Sequence, residues 1–326
     1  MGNYLKGKHS IIVMFLVILL IAFLPMFGLS LYMITFLFIL MMNIALTVGW
    51  NILGGYAGYV SFGHVAFVGT GGYTTAILLD QLGWSPIVTT PLAGIIAALI
   101  ALIIGFPTLS LRGPYFSVAT LIISLALGAF VLNFPGINTA AGIYLSPPGK
   151  TALSSTIILF YMMMVVLIIT MITAYFIEHS KFGLGLTAIR EDEEVAATQG
   201  VNTTNVKLIA FVISGGLAGM VGGIFAWYQG VLYVNAMFNI NLSVMIVLMA
   251  IIGGTRSWIG VTIGATLVTI INEILTLTIG SNLSQIIFGI LLALTMLYLP
   301  DGIIGLLNYK IRPAKKILAN SSGGDS

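Results

Sequence analysis

The chain has 326 residues, 59% of them hydrophobic and 6% charged, with a mean hydropathy of +1.12 and a formal net charge of +3. Soluble domains carry roughly 45–50% apolar residues, so a soluble globular fold is excluded. With no cysteine and three scattered histidines, disulfide frameworks and metal-ligand clusters are excluded as well, and nothing in the composition points to nucleic acid.

The apolar runs lack the alternation of an outer-membrane barrel. They form stretches of ~20 residues, enough to cross ~30 Å of hydrocarbon. The expectation is an all-α polytopic membrane protein of about ten transmembrane helices. Divided at Gly, Pro and charged positions, the spans fall at 10–27, 30–53, 61–79, 87–107, 115–134, 155–177, 207–228, 241–254, 258–279 and 283–300. No small-x-small cleavage site follows the first run, which is therefore read as a retained helix rather than a signal peptide. The Gly-rich stretch 54–72 and the short eighth span are compatible with re-entrant or broken helices, which membranes tolerate only where protein or water surrounds the backbone. His64, in SFGHVAF, is either hydrogen-bonded packing or part of a pathway.

Further along, GKT at 149–151 imitates a phosphate-binding loop. The glycine required five residues before its Gly is Tyr144, and Pro147 and Pro148 oppose a strand-loop-helix context. No other segment resembles a nucleotide site. The connection from Glu178 to Asn205 is the longest between spans on its side and holds Glu191, Asp192, Glu193 and Glu194 in a row. Each carboxylate would cost ~2.5 kcal/mol or more at a bilayer centre, so this segment lies in water. Leu186, Ile189 and Ala197 interleave with the acids as in a helix, and Gly200 suits its left-handed end. The residues leave two readings open, a solvated connector or a short helix that docks into a partner's groove.

In the seventh span Gly215, Gly219 and Gly223 recur every four residues, a spacing that lets helices approach closely in lipid. GGYAGYV from Gly54 and GGLAGMV from Gly215 agree at five of seven positions, through duplication or chance. Glu273 is the one carboxylate placed inside a span; it either meets a substrate ammonium or a gate, or is held by a structural hydrogen bond. Lys and Arg collect on the cytoplasmic side of membrane proteins. With both termini inside, ten spans put eleven of the twelve basic residues there and only Lys150 outside.

The stretch AIREDEEVAATQGVNTTNVKLIAFVISGGLAG closely resembles the coupling segment of permease subunits of branched-chain amino acid ABC importers, particularly the LivM type, in which a loop of the form E-A-A-x-x-x-G seats on the ATPase. Glu194, Ala196, Ala197 and Gly200 keep that form, with Val195 in place of one Ala. WNILGGYAGYVSFGHVAFVGTGGYTTAIL, LRGPYFSVATL and IIGGTRSWIGVTIGA are similar to further parts of the family, so the likeness spans most of residues 45–265. Departures fall at Leu125, where the family often has Glu, and at 139–142.

The resemblance implies a single permease domain over 1–326, with a cytoplasmic coupling loop at 178–206 and a basic, then polar, tail at 310–326. It implies an inner-membrane subunit of an ATP-driven importer with no nucleotide site or catalytic residue of its own, ATP and Mg being bound by a partner. The implied partners are a second permease subunit, two ATPase subunits and an extracytoplasmic solute-binding protein. ATPase coupling would fall to Arg190, Glu191, Asp192, Glu194, Ala197 and Gly200, with Lys207 carrying the motion into the seventh span. The substrate pathway would include Gly58, Ser61, His64 and Glu273. Branched-chain amino acids are the expected cargo; related permeases carry urea, amides or sugars, and an ion-driven secondary transporter or channel using Glu273 and His64 is the alternative class.

Overall fold

The computed structural model describes residues 20–134, 142–280, 283, 286–287, 289–291, 294 and 302. After a 3-10 turn at Leu24–Phe27, the helices are α1 Leu31–Gly54, α2 His64–Leu82, α3 Pro86–Thr108, α4 Pro114–Leu132, α5 Ala152–Glu178, α6 Lys181–Glu191, α7 Glu193–Thr198, α8 Thr203–Gln229, α9 Val234–Met237, α10 Ile240–Gly253 and α11 Trp258–Ile279. Two strands, β1 Ile143–Tyr144 and β2 Val231–Leu232, pair antiparallel with Ile143 opposite Leu232. This ribbon is an addition to the all-α expectation.

Local chemistry sets the helix starts. Ser30, Thr151, Ser180, Asp192, Asn202, Asn239 and Ser257 each accept a hydrogen bond from the first turn they precede. Pro86 and Pro114 open α3 and α4, where a missing N–H costs nothing.

Seven helical stretches among the described residues are long and apolar enough to cross a membrane: α1, α3, α4, α5, α8, the α9–α10 pair and α11. α2 is also 19 residues long, but its glycines and threonines dilute its apolar character because protein surrounds it. Its start is a correction: residues 61–63 belong to a buried irregular connection and the helix begins at His64. The expected eighth span, 241–254, is one unbroken helix, α10; the short α9 precedes it across Phe238–Asn239 and lengthens the stretch to a crossing. Of the ten expected spans, 283–300 lies largely outside the described residues. So does most of 10–27, whose described end turns 3-10 from Leu24 rather than continuing as α-helix. The tail at 310–326 and both termini are likewise outside.

α8 is the central helix, packed against α3 and α2 on one side and α1 and α5 on the other, while α10 and α11 pack on α1. The glycine spacing makes this approach work. A Cβ on Gly219 would overlap Ala97 of α3, one on Gly71 would overlap the Gly219 carbonyl, and one on Gly222 would overlap the Val68 carbonyl. These glycines close seams within the chain by direct backbone approach. The two similar heptapeptides differ in structure: 215–221 is mid-helix, whereas 54–60 is a helix end and coil. They therefore mark no structural repeat. α4 buries only a narrow stripe of Phe116, Thr120, Ser124 and Gly128 and leaves Tyr115, Val118 and Ile122 exposed.

The helix ends fall on two faces. One gathers the α1–α2, α3–α4 and α10–α11 connections with α6 and α7, joined by contacts between Tyr56, Glu178 and Trp258 and between Lys207 and Leu109. The other carries the β-ribbon and the pair Tyr32–Glu273. Of the described basic residues, Arg112, Lys181, Arg190, Lys207 and Arg256 lie on the first, charged face and Lys150 on the second.

Candidate functional site

The segment between α5 and α8 folds as two short helices, where the sequence suggested one. The break is at Asp192, which adopts an extended conformation (φ −160°, ψ 116°) and accepts at 2.9 and 3.0 Å from the amides of Glu194 and Val195. Leu186 and Ile189 of α6 and Ala196 of α7 point inward and are buried. Gly200 ends the segment at φ +86°, a conformation that side chains resist.

Charged side chains fasten this segment to the membrane core. The Lys207 ammonium, 4% exposed, donates to Glu193 Oε1 at 2.5 Å and to the Leu109 carbonyl and the Tyr59 hydroxyl at 3.0 Å each. All three of its protons are thereby used. Tyr59 in turn donates a hydrogen bond to Glu193 Oε2. Arg112, from the α3–α4 connection, donates to Glu194 Oε1 at 2.8 Å, and its Nε lies 4.0 Å from Glu193. Arg190 donates to the Gly55 carbonyl at 2.6 Å.

The electrostatics follow. Burial pushes the Glu193 carboxyl up, but hydrogen bonds from Lys207 and Tyr59 and the charges of Lys207 and Arg112 outweigh it, so the group sits below the ordinary carboxylate range. Burial first, and then the Glu193 carboxylate, push the Tyr59 hydroxyl up; burial and Glu178 do the same to Tyr56. The hydrogen bond to Glu194, with the charge of Glu193, raises Arg112 further.

The six residues assigned to coupling thus divide. Arg190 turns inward, Asp192 is spent as a helix cap, and Glu194 is tied to Arg112. Glu191, Ala197 and Gly200 remain exposed beside Val195, which is 54% exposed. Glu194, whose side chain is 77% exposed in spite of its bond to Arg112, joins them in an outward surface of two acids with small or apolar groups. Glu193 was not singled out, although it is the junction. The signal that could have found it is Lys207, a lone cation entering an apolar helix, which requires a nearby anion.

The four residues assigned to a pathway do not converge. Gly58, at φ +77°, lies against Arg190 on the charged face, where a Cβ would come 3.1 Å from Arg190 Cγ. Ser61 is buried; its carbonyl accepts from Trp50 Nε1 at 2.7 Å and its hydroxyl from the Gly63 amide. His64 is fully buried, its Nε2 2.7 Å from Ser214 Oγ. Ser214 gives its proton to the Gly49 carbonyl, so Nε2 is the donor and Nδ1 is left without a partner. Glu273 accepts from Tyr32 of α1 at 2.6 Å. It stands 15 residues along α11, about 22 Å from the charged face. GKT resolves as a cap, with Thr151 and Ser154 forming a capping box at the start of α5.

Residues 29–296 match the family described as branched-chain amino acid transport system, permease component. The high-affinity branched-chain amino acid transport system permease protein LivM of Salmonella typhimurium is 26% identical over 312 residues, 87% of this chain and 72% of that protein. Its Escherichia coli K12 counterpart is 25% identical with the same coverage. A probable LivH permease of Methanocaldococcus jannaschii is 25% identical over 80% of this chain and 87% of its own length. No solved structure matches the chain.

Proposed function

The chain belongs to the branched-chain amino acid transport permease family, and from that premise we propose that it is a membrane-spanning subunit of an ATP-driven ABC importer for branched-chain amino acids in the inner membrane. It works beside a second permease chain, two ATPase subunits that bind ATP and Mg, and an extracytoplasmic binding protein that delivers the substrate. The charged face is cytoplasmic, in keeping with its share of Lys and Arg. The exposed apolar flanks of α3 and α4 face lipid.

One observation carries the coupling assignment. α6 and α7 hang outside the helix bundle with Glu191, Glu194, Val195, Ala197 and Gly200 turned outward, while Lys207 and Arg190 fasten their inner side, and Arg112 their exposed edge, to three different parts of the core. Such a piece can be gripped from outside and moves what it is tied to. Closure of the ATPase pair displaces α7, the ion pair draws the foot of α8, and the bundle changes which side of the membrane it opens to. This chain takes part in no covalent step.

Affinity purification of the tagged chain from native membranes tests this. A stoichiometric ATPase is expected with the wild type and is expected to be lost from Ala197→Glu, with leucine uptake lost in parallel. Folded wild-type protein that recruits no ATPase would end the importer reading.

A further inference from the structure

Residues 55–63, between α1 and α2, form no helix yet are mostly buried. Backbone in such a place needs every polar group satisfied, and the partners here come from distant elements. The Gly55 carbonyl accepts from Arg190, the Val60 carbonyl from Ser117 Oγ at 2.6 Å, the Ser61 carbonyl from Trp50 Nε1, and the Phe62 amide donates to Thr120 Oγ1 at 3.3 Å. The stretch is therefore bound to α1 through Trp50 and to the foot of α4 through Ser117 and Thr120.

Its two tyrosines reach the other way. Tyr56 donates at 2.9 Å to Glu178, the last residue of α5, whose same oxygen accepts the Trp258 amide at the start of α11 at 3.0 Å. Tyr59 donates to Glu193 at the start of α7. Residues 55–63 thus touch the α5–α8 segment at its beginning, at Arg190 and at Glu193, and then run directly into His64, where α2 begins.

We propose that residues 55–63 are a strap that transmits displacement of α6 and α7 to the feet of α2 and α4, with Tyr56 and Tyr59 as the positioning residues that hold it to Glu178 and Glu193. The inference deepens the importer reading and rests on it. Lys207 alone would move α8; the strap adds α2 and α4, so the three helices shift together. The tyrosine hydroxyls are the right groups for this, because each binds a carboxylate and such bonds are stronger than neutral ones.

The test uses Tyr56→Phe/Tyr59→Phe and the single Tyr59→Phe, which delete hydroxyls and keep the rings. Tyr161→Phe, which removes a hydroxyl bonded to the Ala22 carbonyl at 3.1 Å, is the control. In proteoliposomes with the ATPase pair, sister permease and binding protein, ATP hydrolysed per leucine delivered should rise roughly ten-fold in the double variant, the scale of a lost hydrogen bond to a charged group. Assembly should match the wild type, and Tyr161→Phe should not change the ratio. An unchanged ratio in both Tyr59 variants overturns the strap.

Hydrogen exchange on the purified chain decides the mechanical link without any partner. Amides at 64–70 and at 193–200 should gain exchange together, by roughly ten-fold, while α3 stays as in the wild type. A gain confined to 193–200 also overturns the strap. Absence of an ATPase from the wild-type complex would sink the importer reading alone.

Discussion

Lys207 Nζ lies 2.5 Å from Glu193 Oε1, across the boundary between the bundle and the segment outside it. The cation is 4% exposed, whereas the anion's side chain is 17% exposed and is also held by Tyr59, so the lysine is the charge left stranded if its partner is removed. Glu193→Leu should therefore destabilise the protein by on the order of 3 kcal/mol, read as a fall in thermal midpoint in detergent. The Lys207→Met/Glu193→Leu pair should recover most of that loss, because it removes both charges at once.

Acid should release α7. The Glu193 carboxyl is held below its ordinary range in the folded protein, so its contribution is fully present above the unfolded carboxylate value and is lost as pH falls through the lower folded value. Hydrogen exchange at 193–200, followed from pH 7 downward, should show protection falling in that acidic window. Glu193→Gln should lose the extra protection at neutral pH and flatten the profile.

The Asp192 cap predicts a smaller effect. Asp192→Ala should cost ~1 kcal/mol, while Asp192→Asn, which keeps an acceptor for the Glu194 and Val195 amides, should cost little. The comparison separates capping from any direct contact between Asp192 and an ATPase, since a contact that needs the charge would be lost in both variants.

Ala197→Glu should leave stability within ~0.5 kcal/mol, as expected for an exposed site, and still abolish ATPase capture in purification. Gly219→Val gives the opposite pattern. Its side chain would meet Ala97 and the Ala93 carbonyl, and overpacking of ~1–3 kcal/mol or more should lower the yield of folded protein whatever partners are present.

Much of the architecture could be read along the chain because Ser30, Pro86, Pro114, Thr151, Asn202 and Ser257 mark helix starts by local chemistry. Gly200 was legible for the same reason, since a helix end needing positive φ is a one-residue property. What escaped depends on distant partners. Residues 61–63, Ser-Phe-Gly, look like span because they are uncharged and run into an uncharged helix, and only Thr120 and Trp50 show why they leave the helix. Glu193 looked like one acid among four; its neighbours Glu191 and Asp192 point elsewhere, and the difference is set by Lys207, Tyr59 and Arg112. The break between α9 and α10 at Phe238–Asn239 follows from a cap that Asn239 supplies, a signal hidden inside an apolar run.

The strap also sets a timetable for biogenesis. Its residues leave the ribosome early, between the first two long helices described here, but Arg190 and Glu193 follow well over 100 residues later, and Lys207 later still. At ordinary synthesis rates that delay is on the order of ten to thirty seconds. Throughout it the α1–α2 hairpin sits in the membrane with the Gly55 carbonyl and two tyrosine hydroxyls without their final partners. A chain stopped before Glu178 would carry that loop with none of these three groups answered.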